Sequence, residues 1–198
     1  MDDLDRRLLD AARSGAAADV RAALDAGASV EARDEKLRSP LLLASLNDHV
    51  EAAQVLVAAG ADPNAQDHRR DSAWLVTGVT GSVAMMRALL PAGPDVTVRN
   101  RYGGVSVIPA SERGHVAYVR AVLKETDIDV NHVNDLGWTA LLEAVILGHG
   151  GTAHQEIIEV LLAAGARTDL ADQDGVTALE HAESRGFRAM AELLRAAA

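Results

Sequence analysis

Apolar residues along this chain fall in short blocks at helical spacing, and polar turns separate the blocks. Ile157, Val160 and Leu161 stand at i, i+3 and i+4, with Ile158 and Leu162 beside them. Val50, Ala53, Val55, Leu56 and Ala59 draw a similar face. Ser39, Ser72, Thr139 and Thr177 precede further blocks and predict helix N-caps, because their side-chain oxygens can take up a free N–H of the first turn. Pro40 falls in a first turn, where its missing N–H costs nothing. Gly60 and Gly165 follow apolar blocks at the position where a left-handed residue closes a helix. The prediction is an all-α chain of short helices.

The blocks recur in register. Gly27-Ala28-Ser29-Val30, Gly60-Ala61-Asp62-Pro63-Asn64 and Gly165-Ala166-Arg167-Thr168-Asp169 are one phrase, and Gly93-Pro94-Asp95-Val96 is a worn copy. The polar residues that open each unit are Asp34, Asp67, Asn100, Asn134 and Asp172, at steps of 33, 33, 34 and 38 residues. A period of this length predicts stacked helix pairs in one domain over residues 1–198. The units are 34–66, 67–99, 100–133, 134–171 and 172–198, and 1–33 is an earlier unit without the opening turn. One such pair cannot bury its own apolar face, so neighbours must cover it and the end units need polar outer faces. Asp2, Asp3, Asp5, Arg6 and Arg7 at one end suit that role, as do Glu183, Arg185, Arg188, Glu192 and Arg195 at the other.

Ser39-Pro40-Leu41-Leu42-Leu43-Ala44, Gly114-His115-Val116 and Gly137-Trp138-Thr139-Ala140-Leu141-Leu142-Glu143-Ala144 carry a motif that resembles the ankyrin repeat, and the resemblance spans the whole chain. It implies a solenoid of about six helix-turn-helix units, two of them caps, with β-hairpin-like fingers between them. It also implies a non-catalytic module that holds a protein partner in the groove of fingers and inner helices. The motif's histidine, which braces the turn in the family, is replaced throughout, by Leu42, Leu75, Ile108, Leu142 and Glu180. In the fourth unit Val105-Ser106-Val107-Ile108-Pro109 replaces the Thr-Pro-Leu-His stretch, and Pro109 falls early enough to shift the helix start or bend the helix. In the fifth, Gly148-His149-Gly150-Gly151-Thr152-Ala153-His154-Gln155 replaces a tight turn and reads as a flexible loop.

Composition narrows the function. The net charge is −10, which argues against nucleic-acid and membrane surfaces as general partners. There are no cysteines, hence no disulfide framework, thiol nucleophile or Cys-type zinc site. The start, Met1-Asp2-Asp3-Leu4-Asp5, lacks the apolar core of a signal peptide, and no stretch reaches the length of a membrane span. A cytoplasmic monomer is expected, and the Ala, Gly and Arg usage points to a bacterium.

Charge is uneven along the fingers. The first three hold Arg33, Lys36, Arg38, Arg69, Arg70, Arg99 and Arg101 against Asp34, Glu35, Asp67 and Asp71; the last two hold Asp135, Asp172 and Asp174. A basic strip on an acidic protein favours an acidic partner, and solvated tips are the plainer reading. With the apolar residues of the same register, the partner-binding candidates are Arg38, Arg69, Arg70, Arg101, Tyr102, Leu136, Trp138 and Ile146, and Leu46, Val79 and Leu147 face the same groove. Trp138 reads equally as turn packing, whereas Trp74 reads as core. His149 and His154, with Glu143 and Glu156 near, match no standard metal-ligand spacing, so no metal or cofactor is expected. No nucleophile elbow, P-loop, dinucleotide fingerprint or zinc-protease motif is present. The alternative function is a small-molecule or enzymatic pocket under the 148–155 segment, with Glu143 and Asp135 or His149 as acid and base.

Overall fold

The computed structural model describes residues 2–197; Met1 and Ala198, the outer ends of the first and last predicted repeats, lie outside the described residues. The chain divides after Arg101 into two compact units. The first holds α1 (Asp3–Ser14), α2 (Ala17–Asp25), α3 (Pro40–Leu46), α4 (Val50–Ala58), α5 (Ala73–Thr80) and α6 (Val83–Leu89), followed by a 3-10 turn, Leu90–Ala92. The second holds α7 (Val107–Glu112), α8 (Val116–Glu125), α9 (Ala140–Ile146), α10 (Thr152–Ala163), α11 (Ala178–Ser184) and α12 (Arg188–Ala196). In each unit consecutive helices pair as hairpins, and the hairpins stack inner helix on inner helix and outer on outer: α1, α3, α5 and α2, α4, α6, then α7, α9, α11 and α8, α10, α12.

The caps explain where the helices begin. Ser39, Ser72 and Thr139 accept the N–H of Leu42, Leu75 and Leu142. Thr177 accepts that of Glu180, whose carboxylate bonds back to Thr177 as a capping box. Asp2 caps α1 in the same way, through the N–H of Asp5 at 2.8 Å. Gly60 and Gly165 sit at φ 86° and 89°, closing α4 and α10 as expected.

The fourth repeat departs for a reason visible in its backbone. In four of the other repeats the N–H of the fourth helical residue bonds to the cap carbonyl at 2.9–3.1 Å: Leu43 to Ser39, Val76 to Ser72, Glu143 to Thr139, His181 to Thr177. Here that residue is Pro109, which has no N–H, and Val105 stands at the cap position. Ile108 donates to the Val105 carbonyl instead, at 3.1 Å, a tighter turn. α7 therefore starts one position later, and the Ser106 hydroxyl is left buried without a partner.

The core is small and apolar. Leu41, Leu42, Trp74, Met85, Met86 and Leu89 are buried in the first unit, and Tyr118, Leu141, Leu142, Ile157 and Leu161 in the second. Trp74 is a core residue, as its position predicts, and Tyr118 is fully enclosed. The polar end residues lie outside. Arg7, Asp10 and Asp19 line a groove of about 620 Å³ along α1 and α2. Glu183, Arg188, Glu192 and Arg195 line one of about 390 Å³ along α11 and α12. Among the described residues no helix is long and apolar enough to cross a membrane.

Candidate functional site

Four of the fingers are tied around the side chains that open them, Asp34, Asp67, Asn134 and Asp172. Asp34 Oδ1 accepts the N–H groups of Lys36 and Arg38, both at 2.9 Å. Asp67 Oδ1 does the same for Arg69 and Asp71, Asn134 Oδ1 for Leu136 and Trp138, and Asp172 Oδ1 for Asp174 and Val176. The backbone closes these four turns hairpin-fashion, as in Asp34 N–H to Arg38 O and Asn134 N–H to Trp138 O. The second side-chain atom then finds a partner peculiar to its repeat. Asp34 Oδ2 takes the Arg38 guanidinium at 2.6 Å, Asp172 Oδ2 takes His181 Nε2 at 2.7 Å, and Asn134 Nδ2 donates to Glu143 Oε1 at 2.9 Å. Glu143 and His181 are the fourth residues of their helices. In these two repeats the bracing of the missing motif histidine comes from one residue further along.

Burial and charge tune these carboxyls. Burial pushes Asp34 up, but Arg38 and the two backbone N–H groups outweigh it and hold the acid below its usual range. Burial, with Asp67 beside it, raises Asp71 against the pull of Arg101 and Arg69. Glu143 is only 6% exposed. Burial, reinforced by Glu112, pushes its carboxyl up to about 7, against the opposing effects of Asn134 and Arg113.

In the first unit the predicted basic residues separate into two groups. Arg38 is folded onto Asp34, Arg101 lies 3.8 Å from Asp71, and Arg33 donates to the Leu37 carbonyl at 2.9 Å. Lys36, Arg69, Arg70 and Arg99 are exposed and make no ion pair among the described residues. Their fingers are laced together. The Lys36 carbonyl accepts the backbone N–H of His68 and its Nδ1–H, the latter at 2.9 Å. Gln66 Nε2 bridges the carbonyls of Arg70 and Arg99 at 2.7 and 2.8 Å.

Two of these tips carry backbone strain. Leu37 and Arg70 both adopt φ 61°, while the matching places in later fingers hold Gly103, Gly137 and Gly175. A side chain costs about 1–2 kcal/mol in this left-handed region, and glycine returns part of that to the unfolded chain as entropy. Arg70→Gly is therefore expected to stabilise the fold by about 0.5 kcal/mol. Urea titration checks it; destabilisation would mean that the Arg70 side chain supports the fold.

In the second unit Tyr102 and Leu136 are 50% and 46% exposed on neighbouring fingers, joined by the Asp135 N–H to the Tyr102 carbonyl at 2.9 Å. Trp138 is half-buried beside them in sequence, with its N–H and carbonyl both held by Asn134. Ile146 is half-buried at the end of α9, and its carbonyl accepts from Arg185. Leu46 and Val79 in the first unit and Leu147 in the second are exposed.

The 148–155 segment is not the flexible loop expected from its glycines. Residues 152–155 form the first turn of α10, so the insertion is divided between a short connection and a longer helix. The connection is packed. A Cβ on Gly148 would lie 2.1 Å from the Ala144 carbonyl and 2.6 Å from the His154 ring, and one on Gly150 would lie 2.6 Å from Phe187. Arg185 reaches back to the Ile146 and Gly148 carbonyls. His149 and His154 meet edge to face at 5.9 Å, but His154 is buried with Nε2 donating to the Glu112 carbonyl. Among the described residues no three His, Cys, Asp or Glu side chains converge as metal ligands. Glu143 bonds to Asn134, and no bond joins it to Asp135 or His149. His49 Nε2 similarly binds the Arg13 carbonyl at the end of α1, a structural role.

Family models for ankyrin repeats match residues 36–68, 73–167 and 110–198. An ankyrin repeat domain from Acinetobacter baumannii AYE, solved by crystallography, is 44% identical, with a TM-score of 0.91 over 96% of both chains. A second crystallised ankyrin repeat protein is 35% identical, with a TM-score of 0.92 over 96% of this chain and 97% of its own. The Escherichia coli (strain K12) ankyrin repeat protein YahD is 49% identical over 76 residues, and the match spans only 38% of each chain. The ankyrin repeat domain of Bcl-3, a member of the IkappaB family, shares the fold at 24% identity and a TM-score of 0.86, over 96% of this chain and 85% of that one.

Proposed function

Because this chain belongs to the ankyrin-repeat family, whose repeats are generally protein-interaction modules, we propose that it is a non-catalytic binding module that takes a protein partner on its fingers and inner helices. The observation that carries the reading is the pair Tyr102 and Leu136, large hydrophobic side chains exposed on adjacent fingers whose backbones are joined by the Asp135 N–H to the Tyr102 carbonyl. Such a side chain gains most when a partner removes it from water. Trp138 and Ile146 extend this apolar set in the second unit. In the first unit Arg69 and Arg70 favour a partner with an acidic surface, whereas Arg38 and Arg101 are paired with Asp34 and Asp71. A monomer inside a bacterial cell is part of the proposal, in keeping with the bacterial sources of the A. baumannii and E. coli relatives. A pocket under residues 148–155 has no comparable support, since that segment is filled by Ala144, His154 and Phe187.

The test is a photo-activated cross-linking side chain at Leu136, with one at the exposed Glu159 of α10 as control. A protein joined from position 136 and not from 159 is expected. Equal products, or none, would overturn the reading. Trp138→Ala is expected to weaken the captured complex by about 2 kcal/mol. Unchanged affinity with the fold intact assigns Trp138 to turn packing alone.

A further inference from the structure

We infer that the first unit's fingers form a site for an extended acidic polypeptide segment, with Lys36, Arg69, Arg70 and Arg99 as its cations. The inference rests on the binding-module reading and sharpens it, because the residues that the structure leaves available differ from those that the charge count singles out. Arg38 and Arg101 belong to the basic strip by sequence, yet each has a carboxylate of its own, Asp34 and Asp71. An arginine closed on a buried or half-buried acid has little charge left to offer a ligand. The four others make no ion pair among the described residues, Arg69 acting on Asp71 only at longer range, and at these tips Glu35 is the exposed acid.

Geometry places these four together. The carbonyls of Arg70 and Arg99 share one donor, Gln66 Nε2, so the two oxygens are no further apart than those two short bonds laid end to end. Lys36 is joined to the next finger by two bonds from His68 to its carbonyl. Three consecutive fingers thus present cations in a row, fixed through the backbone while their side chains stay free. A row of this kind matches carboxylates spread along an extended chain better than a single compact anion. The strained φ of Arg70 points the same way. A position that favours glycine carries a long cation whose side chain makes no ion pair among the described residues.

The occupant is a polypeptide rather than a nucleic acid because the surrounding charge is wrong for a long polyanion. Residues 1–101 carry fifteen acidic against twelve basic side chains, and the whole chain carries −10. A short acidic segment can stay on the tips, whereas a polyphosphate would extend over the repelling surface around them.

The experiment uses the full chain and a fluorescein-labelled glutamate decamer, read by anisotropy, with a labelled lysine decamer and a labelled thymidine decanucleotide as comparisons. The glutamate decamer is expected to bind at low salt and to lose affinity roughly tenfold at 0.5 M salt, where exposed charges are screened. The Arg69→Glu/Arg70→Glu variant is expected to lose about tenfold as well, with an unchanged melting curve. The Leu136→Ala variant, on the second unit, is expected to bind the decamer as the wild type does. No binding of the glutamate decamer, or equal binding by the charge-reversed variant, overturns the inference. So does tighter binding of the decanucleotide through the same residues. A protein still cross-linked from position 136 in any of these cases would leave the binding-module reading standing while this one fails.

Discussion

Replacing Glu143 by Gln is expected to raise stability at pH 8 by about 3 kcal/mol while changing little at pH 4.5. The carboxyl lies buried on α9, near Glu112, with a pKa pushed up to about 7 from an ordinary 4.5. Between those values the folded chain keeps a proton that the unfolded chain has released. Stability from this group is therefore complete below about pH 4.5, falls as pH rises towards 7, and is level above it. Glutamine is neutral throughout and its carbonyl oxygen can still accept from Asn134 Nδ2, the bond that Glu143 makes at 2.9 Å. Denaturant titrations of both proteins at the two pH values check this. A difference that does not change with pH would mean that Glu143 titrates as an ordinary surface acid. Comparing variant with wild type also cancels other acids, such as Asp172, which the Val176 N–H and His181 hold in the opposite direction.

Gly148→Ala is expected to destabilise the protein by about 3 kcal/mol, and Gly151→Ala, three residues on, by well under 1. The two glycines look alike in sequence. A methyl group on Gly148 would meet the Ala144 carbonyl at 2.1 Å, a backbone atom that can move only if α9 moves, and the His154 ring at 2.6 Å. His154 is itself anchored to the Glu112 carbonyl at 2.8 Å. Around Gly151 a methyl group meets nothing within 4 Å, and its φ of −76° suits any residue. Thermal melts of the two variants decide it. Equal and small shifts would restore the reading of this connection as a loose loop.

Those two positions show where sequence reasoning reached its limit. The extra length of the fifth repeat was legible, and its three glycines predicted mobility. How the extra residues divide between a packed connection and a first turn of α10 depends on which neighbours enclose them, and Phe187 and Arg185 come from the next repeat. The acid–amide pair Asn134–Glu143 had a signal of its own: an asparagine where most repeats open with aspartate, nine residues before a glutamate. An aspartate there would set two carboxylates against each other. By contrast, nothing in the sequence marked Leu37 and Arg70 as strained except the absence of the glycine found at the matching places of later fingers.

By itself the sequence determined the repeat period, the helical class, the capped starts at Ser39, Ser72, Thr139 and Thr177 and the glycine ends at residues 60 and 165, and it marked Pro109 as a point where the helix start shifts or the helix bends. All of these follow from interactions within a few residues of one another, where spacing along the chain is spacing in space. Only the tertiary structure decided which fingertip cations are free, that Glu143 is buried and that the glycines of the fifth repeat are packed. Each of these turns on which residues far apart in sequence come close in space, such as Arg101 with Asp71, Glu143 with Glu112 and Gly150 with Phe187, which no local pattern encodes.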